Sequence, residues 1–414
     1  MSSQRVVVLG GGGGIGSVAA TALAQTGDAA EVLVADLSFD AAERTVAAIS
    51  DPRFRAGVVD VTSRDSLESA VRGASVVVNC VGPFYRFGLT TLAGVIEAGV
   101  TYVDVCDDLS ATRALLDLDD AARHRGVHAL IGMGNSPGLA NIFVKMCAEW
   151  LLDQIRSVDI MHIHGGEPFE GAAVLKHRIH AMVSDVPVFD DGRFVNVRML
   201  EPSGAALVRQ EDFRGVGGYP VFPYPHPEVI TLPHAFPSLR HVANLGVVFP
   251  LSYFEQTQAL VRAGMASAHP LAVDGTTVAP IDMMVALLQD ERPRLMREAG
   301  VTGPAGCLKV VVRGSKDGSD HTYIASVSSD SDGAGAGTGI PAAIGAILAL
   351  RGELLGGPGV HAPEAAVPVQ PVLELAGQIV AGMGVGGGSG LPLHLEHIGP
   401  DGSRDEVPLA LGAA

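Results

Sequence analysis

The stretch Val8-Leu9-Gly10-Gly11-Gly12-Gly13-Gly14-Ile15-Gly16 decides the fold of the first third of the chain. An apolar run precedes it and a helical pattern follows it, so the glycines lie at a turn from a strand into a helix. Within the stretch, Gly11, Gly13 and Gly16 have the GxGxxG spacing. Glycines at this spacing allow a tight turn and bring backbone N–H groups against a pyrophosphate at the positive end of a helix. The stretch therefore predicts a dinucleotide-binding loop.

Two acidic residues at the ends of predicted strands refine this prediction. Asp36 ends the second strand, about 20 residues after Gly16, which is the usual place of the acid that binds the ribose. A carboxylate there accepts hydrogen bonds from both ribose hydroxyls and repels a 2′-phosphate, so NAD is favoured over NADP. Asp60 ends the third strand, where it either lies near the adenine or is an acid of a surface turn.

Six short apolar runs, separated by helical patterns, extend from residue 5 to residue 131. Strands that are hydrophobic throughout, with helices between them, indicate a parallel sheet covered on both faces. We therefore predict an α/β domain with a Rossmann-type doubly wound parallel sheet, which binds its ligand at the carboxyl ends of the strands. The predicted strands are 5–9, 31–36, 56–61, 75–80, 101–105 and 127–131.

The pattern changes after about residue 135. Strand-like runs, proline-rich loops and a few helical patterns continue to about residue 325, as expected for an α+β domain. Six prolines lie between Pro220 and Pro237, and they predict an ordered wrapping loop or lid rather than regular structure. From about residue 382 the chain is rich in glycine, which is typical of a loose tail.

Composition and charge exclude several classes of protein. Lys and Arg total 28 and Asp and Glu total 45, so the net charge is −17, which disfavours nucleic acid as a partner. The 47% hydrophobic content excludes a disordered chain, and no apolar run reaches the ~20 residues of a membrane-spanning helix. The N-terminus lacks a signal-peptide pattern, and the four cysteines have neither disulfide nor zinc spacing. We expect a cytoplasmic protein with no bound metal and no membrane partner.

Several further motifs stand in an order found in one known family. They are VVNCVGPF at 77–84, YVD at 102–104, GMGNSPGLAN at 132–141, TGIPAA at 338–343, GV at 359–360 and PE at 363–364. Together with the glycine loop they resemble the saccharopine reductase-like (saccharopine dehydrogenase) family, to which lysine 6-dehydrogenase belongs. The resemblance is strong over 1–145 and 335–375.

The resemblance implies a discontinuous domain, because in that family the C-terminal segment returns to the nucleotide-binding domain. Residues 1–138 and 336–381 are then the Rossmann domain, 139–335 the α+β substrate and oligomerisation domain, and 382–414 a Gly-rich tail. The resemblance also implies a homodimer.

The family transfers a hydride between nicotinamide and a C–N bond, amine or imine, of an amino acid-like substrate. The resemblance therefore implies an NAD-dependent oxidoreductase that acts on a small amine. The residues predicted to contact the cofactor are Gly11, Gly13, Ile15, Gly16, Asp36, Asp60, Val61, Asn79, Val81, Gly82, Pro83, Asn135, Ser136 and Pro137.

The catalytic candidates follow from the chemistry and from position. A base must take a proton from an amine before a hydride leaves its carbon, and the site lies past the strand ends. Three roles are open for Tyr85. It donates a hydrogen bond to the substrate, it stacks on the nicotinamide, or it is an aromatic residue at the rim of the site. Asp104 is a base of raised pKa or a structural carboxylate that caps the following loop. Asp107 is a base or, like Asp108, the N-cap of the next helix.

The candidates for substrate binding come from the second domain. Lys176 and Arg178 could pair with a substrate carboxylate, or they belong to a solvated strand face. His226 could close over the site, or it is a surface histidine of the proline-rich segment.

The hydrophobic stretch 247–254 stands in the region where the family grips a substrate carboxylate. It motivates an alternative function, an NAD(P)-dependent reductase or dehydrogenase of a C=C or C=O bond in a more apolar substrate. A third possibility is a non-catalytic NAD-sensing protein.

Overall fold

A computed structural model describes residues 4–167, 169–329, 334–384 and 393–408 of the chain. The first part alternates strands and helices. These elements are β1 (Arg5–Leu9), α1 (Gly14–Ala24), β2 (Glu31–Asp36), α2 (Phe39–Ile49), β3 (Phe54–Val58), α3 (Arg64–Val71), β4 (Val76–Asn79), α4 (Phe84–Ala98), β5 (Thr101–Asp104), α5 (Leu109–Leu116), α6 (Asp119–Arg125), β6 (His128–Leu130) and α7 (Leu139–Met146).

The middle part is richer in strands. After a π-helical turn, Cys147–Leu151, it contains β7 (Gln154–Gly165), α8 (Ala172–Val183), β8 (Val186–Asp190), β9 (Arg193–Val197), α9 (Pro202–Ala205), β10 (Arg209–Phe213), β11 (Gly217–Pro223), α10 (Glu228–Ala235), β12 (His241–Phe249), α11 (Leu251–Arg262), β13 (Leu271–Val273), β14 (Thr276–Val278), α12 (Pro280–Glu298), β15 (Ala305–Lys316) and β16 (Ser319–Ser329).

The last part contributes to the two large sheets of the molecule. Its elements are α13 (Ala334–Arg351), β17 (Gly359–His361), α14 (Pro363–Ala366), α15 (Val369–Met383), β18 (Leu393–Ile398) and β19 (Arg404–Glu406).

The first sheet has seven strands in the order β17-β6-β5-β4-β1-β2-β3, and all its neighbours are parallel. Its central strand β4 is buried throughout, as expected for a strand with helices on both faces. The order reverses between β1 and β4, which is where such folds bind a nucleotide. The predicted doubly wound α/β fold is confirmed.

The second sheet is mixed. Its main order is β10-β11-β12-β7-β15-β16-β18-β19, with β7 parallel to β12 and antiparallel to β15. Helices α8, α11 and α12 contact one another, and their apolar residues share a core with β7 and β12. The predicted α+β region is therefore confirmed. The mixed sheet with its helices is hereafter the second region, and the Rossmann sheet with its helices is the first region.

The C-terminal segment joins the first sheet and then leaves it. Strand β17 pairs with β6, and α13 packs on α1 at Gly339, where a Cβ would lie 2.7 Å from the main-chain oxygen of Ile15. Strand β18 then pairs with β16 of the mixed sheet. The segment after 382 is thus not only a tail, although residues 385–392 lie outside the described part.

Two details of the second region differ from the sequence-based prediction. Much of the proline-rich segment is regular structure and not a loop: Pro220 and Pro223 lie in β11, Pro227 precedes the first turn of α10, and Pro233 lies inside α10. Residues 176–180 belong to helix α8 and not to a strand face. Among the described residues, no helix has the length and apolarity needed to cross a membrane.

Candidate functional site

The glycine loop between β1 and α1 leaves no room for side chains. A Cβ on Gly16 would lie 2.2 Å from the main-chain oxygen of Gly10, and one on Gly11 would lie 2.6 Å from Cγ1 of Val34. A Cβ on Gly14 would meet nothing within 4 Å, so the loop is open at the first turn of α1. An open helix N-terminus with free N–H groups suits a pyrophosphate. The loop therefore fits a dinucleotide.

Asp36 lies beside this loop. Its Oδ2 accepts a hydrogen bond of 3.0 Å from the Gly12 amide, and its Oδ1 accepts one of 3.0 Å from the Ser38 amide. No Lys or Arg occurs between residues 6 and 43. The loop and strand β2 therefore offer a carboxylate and no side-chain cation to a ribose.

Asp60 is held by its own turn. Its Oδ1 accepts hydrogen bonds from the amide and the hydroxyl of Thr62, at 2.9 and 2.6 Å. These bonds lower the pKa of the Asp60 carboxyl. The geometry favours the turn-acid interpretation of Asp60. The adjacent Val61 lines a surface groove of about 540 Å³ between α3 and α4.

Asn79 and Asp104 end neighbouring strands, and both are fully buried. The Asn79 amide donates to the Tyr102 hydroxyl at 2.8 Å and accepts from the Val81 amide at 3.0 Å. Oδ1 of Asp104 accepts from the amides of Cys106 and Gly132, at 3.0 and 2.7 Å. Burial raises the pKa of Asp104 to about 6 against the lowering effect of these bonds. Asp104 thus ties the main chain after β5 to that after β6, while its raised pKa is the property expected of a base, so both roles stay predictions.

The loop after β5 separates two neighbouring acids. Asp108 is the N-cap of α5, since its Oδ1 accepts a 2.8 Å bond from the Ala111 amide. Asp107 is exposed, and no hydrogen bond or ion pair with the described residues engages its carboxylate. Its negative charge acts on His226 and Tyr224 of the second region. Asp107 therefore faces the junction between the two sheets.

The other residues of the predicted cofactor contacts surround the same strand ends. Gly10 touches Cys80 and Val81, with a Cβ on it falling 3.0 Å from the Cys80 oxygen. Gly82 is exposed, and Pro83 precedes α4. Asn135 lies next to Gly337 of α13. Tyr85, in contrast, is 62% exposed in the first turn of α4, and no contact in the described residues brings it to this group.

A hydrogen-bonded chain of three side chains joins the two regions. The Ser136 hydroxyl donates to Oε1 of Glu228, and Nδ1 of His226 lies 3.0 Å from Oε2 of the same carboxylate. Glu228 is 0% exposed at the start of α10. Pro137, the next residue after Ser136, follows a cis peptide bond in the turn before α7. A buried carboxylate thus connects the turn at 134–138 with a histidine of the second region.

Within the Ser136–Glu228–His226 hydrogen-bond chain, the two ionisable groups shift each other's pKa. Burial alone would lower the pKa of His226, but the charge and hydrogen bond of Glu228, with help from Asp107 and Asp108, raise it. Burial would raise the pKa of Glu228, but His226 and the Ser136 hydroxyl lower it. Each group therefore favours the charged form of the other, and His226 is a buried imidazole that can exchange a proton.

Aromatic and imidazole rings continue this group along β7. The ring of His162 lies 5.3 Å from Tyr224, 5.4 Å from His226 and 6.5 Å from His164. Gly246 makes room for it, because a Cβ there would lie 2.2 Å from Nε2 of His162. Burial, with the neighbouring His226 and His164, lowers the pKa of His162 well below its usual range. His162 is therefore the neutral neighbour of a charged His226.

A buried ion-pair network lies beyond His164. Both guanidinium groups, of Arg178 and Arg292, bond to the Glu170 carboxylate, and the Tyr253 hydroxyl donates to it at 3.0 Å. The pKa of Glu170 falls to about 2, because the two arginines and Tyr253 outweigh the effect of burial. Arg178 is thus brought toward the site, whereas Lys176 is exposed and pairs with Asp282 at 2.7 Å.

The hydrophobic stretch 247–254 does not line the site. Val247, Phe249 and Phe254 are buried in the core of the second region, in β12 and α11. The sequence signal was therefore that of a central strand and the following helix, which are apolar because both pack inward. The observation that motivated an apolar substrate is a feature of the core.

Sequence reasoning missed three acids: Glu228, Glu170 and Glu364. Glu364 is buried in α14, where its carboxyl group accepts a 2.7 Å hydrogen bond from the side-chain amide of Asn141. A Pro-Glu pair at a helix start was the available signal for Glu228 and Glu364, since proline and an acid favour the first turn. Among the described residues, no group of three or more His, Cys, Asp or Glu could hold a metal ion.

Comparisons with known proteins agree with this architecture. The family described as saccharopine dehydrogenase NADP binding domain matches residues 6–130. Carboxyaminopropylagmatine dehydrogenase of Synechocystis sp. is 23% identical, over 84% of this chain and 89% of that protein. Carboxynorspermidine synthase of Vibrio cholerae is 26% identical, over 91% and 95% respectively.

One solved structure shares the fold over nearly the whole chain. It is the apo, histidine-tagged saccharopine dehydrogenase (L-Glu forming) from Saccharomyces cerevisiae, with a TM-score of 0.63 and 16% identity. The match covers 90% of this chain and 96% of that one.

Proposed function

We propose that the chain is a saccharopine dehydrogenase-like, nicotinamide-dependent oxidoreductase acting on a C–N bond of an amine or imine, because residues 6–130 match that family's nucleotide-binding domain and the similar proteins are named for amine substrates. The observation that carries the proposal is the Ser136–Glu228–His226 chain at the junction of the two sheets. Proton transfer to or from nitrogen must accompany hydride transfer at the adjacent carbon, and His226 is a buried, oriented group with a proton to exchange. The nicotinamide supplies the hydride chemistry when it is bound.

The residues of the chain have distinct roles in this proposal. His226 gives a proton to the substrate nitrogen in the reductive direction and takes it back in the oxidative direction. Glu228 stabilises the imidazolium, and the Ser136 hydroxyl orients Glu228. The glycine loop, with Gly11, Gly13, Ile15 and Gly16, binds the dinucleotide, and the main chain at 80–83 and Asn135 lies along it. Pro137 closes the turn that carries Ser136.

The proposed substrate carries a positive charge. The two relatives are named for carboxylated aliphatic amines, and Asp107 is an exposed carboxylate that faces the same junction as His226. We infer that Asp107 binds a cationic group of the substrate, while a substrate carboxylate would compete with Glu170 for Arg178. The net charge of −17 favours the approach of such a cation.

Replacement of Asp107 by asparagine tests that role. The substitution removes a charge-assisted hydrogen bond, so KM for the amine is expected to rise about 10- to 100-fold while KM for the dinucleotide stays constant. The measurement is initial-rate kinetics over a panel of amines that differ in charge. The matched control is Asp117→Asn at the end of α5, which lies outside the junction. Equal KM values for wild type and D107N would remove Asp107 from the substrate site.

We propose NAD as the dinucleotide, although the matched family is described as NADP-binding. Asp36 supports this choice, because its carboxylate suits a free ribose and repels a 2′-phosphate. Replacement of Asp36 by alanine is expected to raise the ratio of kcat/KM for NADP to that for NAD about 10- to 100-fold. Steady-state rates with each dinucleotide give the ratio, with Asp40→Ala in α2 as the control. A wild-type enzyme that prefers NADP would contradict the assignment.

The general test is turnover. NADH absorbance should rise when an amine is added with NAD, or fall when an imine forms from an amine and a carbonyl compound in the presence of NADH. A protein that binds NAD tightly but turns over no amine would instead be a sensor. Turnover of apolar C=C or C=O substrates in preference to amines would favour the other alternative.

We also propose a cytoplasmic homodimer. The hairpin β13–β14 exposes Leu271 and Val273, and α12 exposes Met283 and Leu287. Exposed apolar side chains in one region support a protein contact. All four cysteines are free, as suits a reducing compartment. Light scattering of the purified chain measures its mass, and a monomer at micromolar concentration would contradict the dimer.

A further inference from the structure

Glu364 is a buried acid that the reaction itself does not require. It lies in the short helix α14, which the chain reaches only after returning from the second region, and it is 3% exposed. Its Oε2 accepts a 2.7 Å hydrogen bond from the Asn141 side chain, and its main-chain oxygen accepts one of 2.9 Å from Nζ of Lys145. Asn141 thus binds the carboxyl group of Glu364 and Lys145 binds its main chain, so two residues of α7 hold Glu364 in place.

Asn141 connects Glu364 to the turn before α7. Its Oδ1 accepts a 2.9 Å hydrogen bond from the Gly138 amide. Gly138 has φ of +122°, and a Cβ on it would lie 1.9 Å from the main-chain oxygen of Gly134, so the turn is closed on itself. Ser136 lies inside this turn. Its position therefore depends on the side chain of Asn141, whose amide orientation is set by Glu364.

The electrostatics agree with this connection. Burial raises the pKa of Glu364, and the negative charge of Glu228 raises it further, against the lowering effect of the hydrogen bond from Asn141. The groups that face Glu364 are Glu228 and Thr231 from α10 and Asn141 and Lys145 from α7. Burial and Glu228 thus favour the neutral form of Glu364, whereas His226 and Ser136 favour the charged form of Glu228.

We propose that Glu364 is a positioning residue for the proton-transfer group. Through Asn141 and the turn at 134–138 it holds the Ser136 hydroxyl against Glu228, and Glu228 in turn holds His226. The hydrogen bonds form two connected steps, Glu364–Asn141–Gly138 within the first region and Ser136–Glu228–His226 across the junction. The returning segment therefore contributes to the active site from the side away from the substrate.

The expected effect of Glu364 on catalysis rests on the proposed function, whereas its expected effect on the titration of His226 does not. The experiment therefore has a readout without substrate: the titration of His226, followed by NMR of protein labelled with 15N-histidine and assigned with a His226→Gln sample. The groups that face His226 are Asp107 and Asp108 from the β5–α5 loop, Glu228 from α10, His162 from β7 and Tyr224 after β11.

The variants are Glu364→Ala, Glu364→Gln and the control Glu374→Gln on the exposed face of α15. Alanine removes the acceptor for Asn141, so Ser136 and Glu228 loosen and His226 titrates at a lower pH than in wild type. Glutamine is neutral and keeps an acceptor oxygen, so it should restore the wild-type titration. With an amine substrate, E364A should lower kcat about 10- to 100-fold and leave KM for the dinucleotide unchanged.

The outcomes separate the two proposals. Two results overturn the positioning role, whether or not the enzyme turns over amines. One is an unchanged His226 titration in folded E364A. The other is that His226 titrates at as low a pH in E364Q as in E364A. Circular dichroism and the melting temperature establish that each variant is folded. If E364A fails to fold, Asn141→Ala replaces it, because that variant removes the same connection from the other side. A shifted titration in a protein without amine turnover supports the role of Glu364 and contradicts only the proposed reaction.

Discussion

Replacement of His226 by glutamine is expected to lower kcat for imine reduction about 10²- to 10⁴-fold. A positioned acid contributes this much to a step in which nitrogen gains a proton. Glutamine can keep a hydrogen bond to Glu228 but has no proton to transfer at neutral pH. Binding of NADH, followed by its fluorescence, should be unchanged, because the glycine loop lies on the other side of the junction. A loss confined to KM would assign His226 to binding, as the sequence alone suggested.

The matched control is His234→Gln, a histidine in the last turn of α10, the helix that follows His226. His234 is exposed, and among the described residues its ring bonds only to the main-chain oxygen of Ile230. Its replacement should change kcat by less than about twofold, as for surface substitutions in general. A similar loss in both variants would mean that the segment, and not the imidazole of His226, determines the rate.

The pH dependence of kcat carries the same information. Glu228 raises the pKa of His226, so the protonated imidazole that reduction needs persists to higher pH than an isolated histidine would allow. The rate of reduction should fall as pH rises through that raised pKa. In Glu228→Gln the charge is lost while a hydrogen bond to Ser136 is retained, so the fall in kcat moves to lower pH. An unmoved profile would separate Glu228 from the proton transfer.

The largest expected effect on stability belongs to Glu170. Its replacement by alanine leaves the buried guanidinium groups of Arg178 and Arg292 without their shared carboxylate. Removal of one partner from a buried ion pair costs about 3–5 kcal/mol, because the remaining charge is uncompensated. Urea denaturation should give this loss in the free energy of unfolding. The control, Glu298→Ala, breaks an exposed pair with Arg294 and should cost less than about 1 kcal/mol.

The same ion-pair network predicts how the free energy of unfolding depends on pH. The pKa of Glu170 is about 2 in the folded chain and near 4.5 when unfolded. A lowered carboxyl pKa stabilises the fold above the unfolded value, and this contribution is lost as pH falls from about 4.5 to about 2. Stability of the wild type should therefore fall more steeply over that range than stability of E170A. Parallel curves would show that the folded chain does not lower the pKa of Glu170.

The sequence predicted the nucleotide-binding fold well because its signals are local. The glycine loop, Asp36 and the apolar strands are each recognisable within a short window, and a parallel sheet repeats the same unit. The second region was predicted less accurately because proline marks both loops and helix starts. Pro227 therefore suggested a loop where the structure has the helix that carries Glu228.

The site could be predicted only in part, because its hydrogen bonds join distant residues. Ser136 and Glu228 are 92 positions apart, and Asn141 and Glu364 are 223 apart. Their pairing depends on how the two sheets meet, which no local pattern encodes. For Asp104 the sequence predicted the burial at a strand end that raises its pKa, but not the hydrogen bonds from the amides of Cys106 and Gly132, since Gly132 is 28 residues away.

The late return of α13 and β17 to the first sheet has a consequence for synthesis on the ribosome. Helix α1 and strand β6 are made early, but the partners that cover them, α13 and β17, follow about 200 residues or more later. Contacts so distant in sequence form slowly, and until they form an apolar helix face and an unpaired strand edge remain open. The nascent chain should therefore depend on a chaperone, or on slow elongation, until the segment that carries Glu364 emerges.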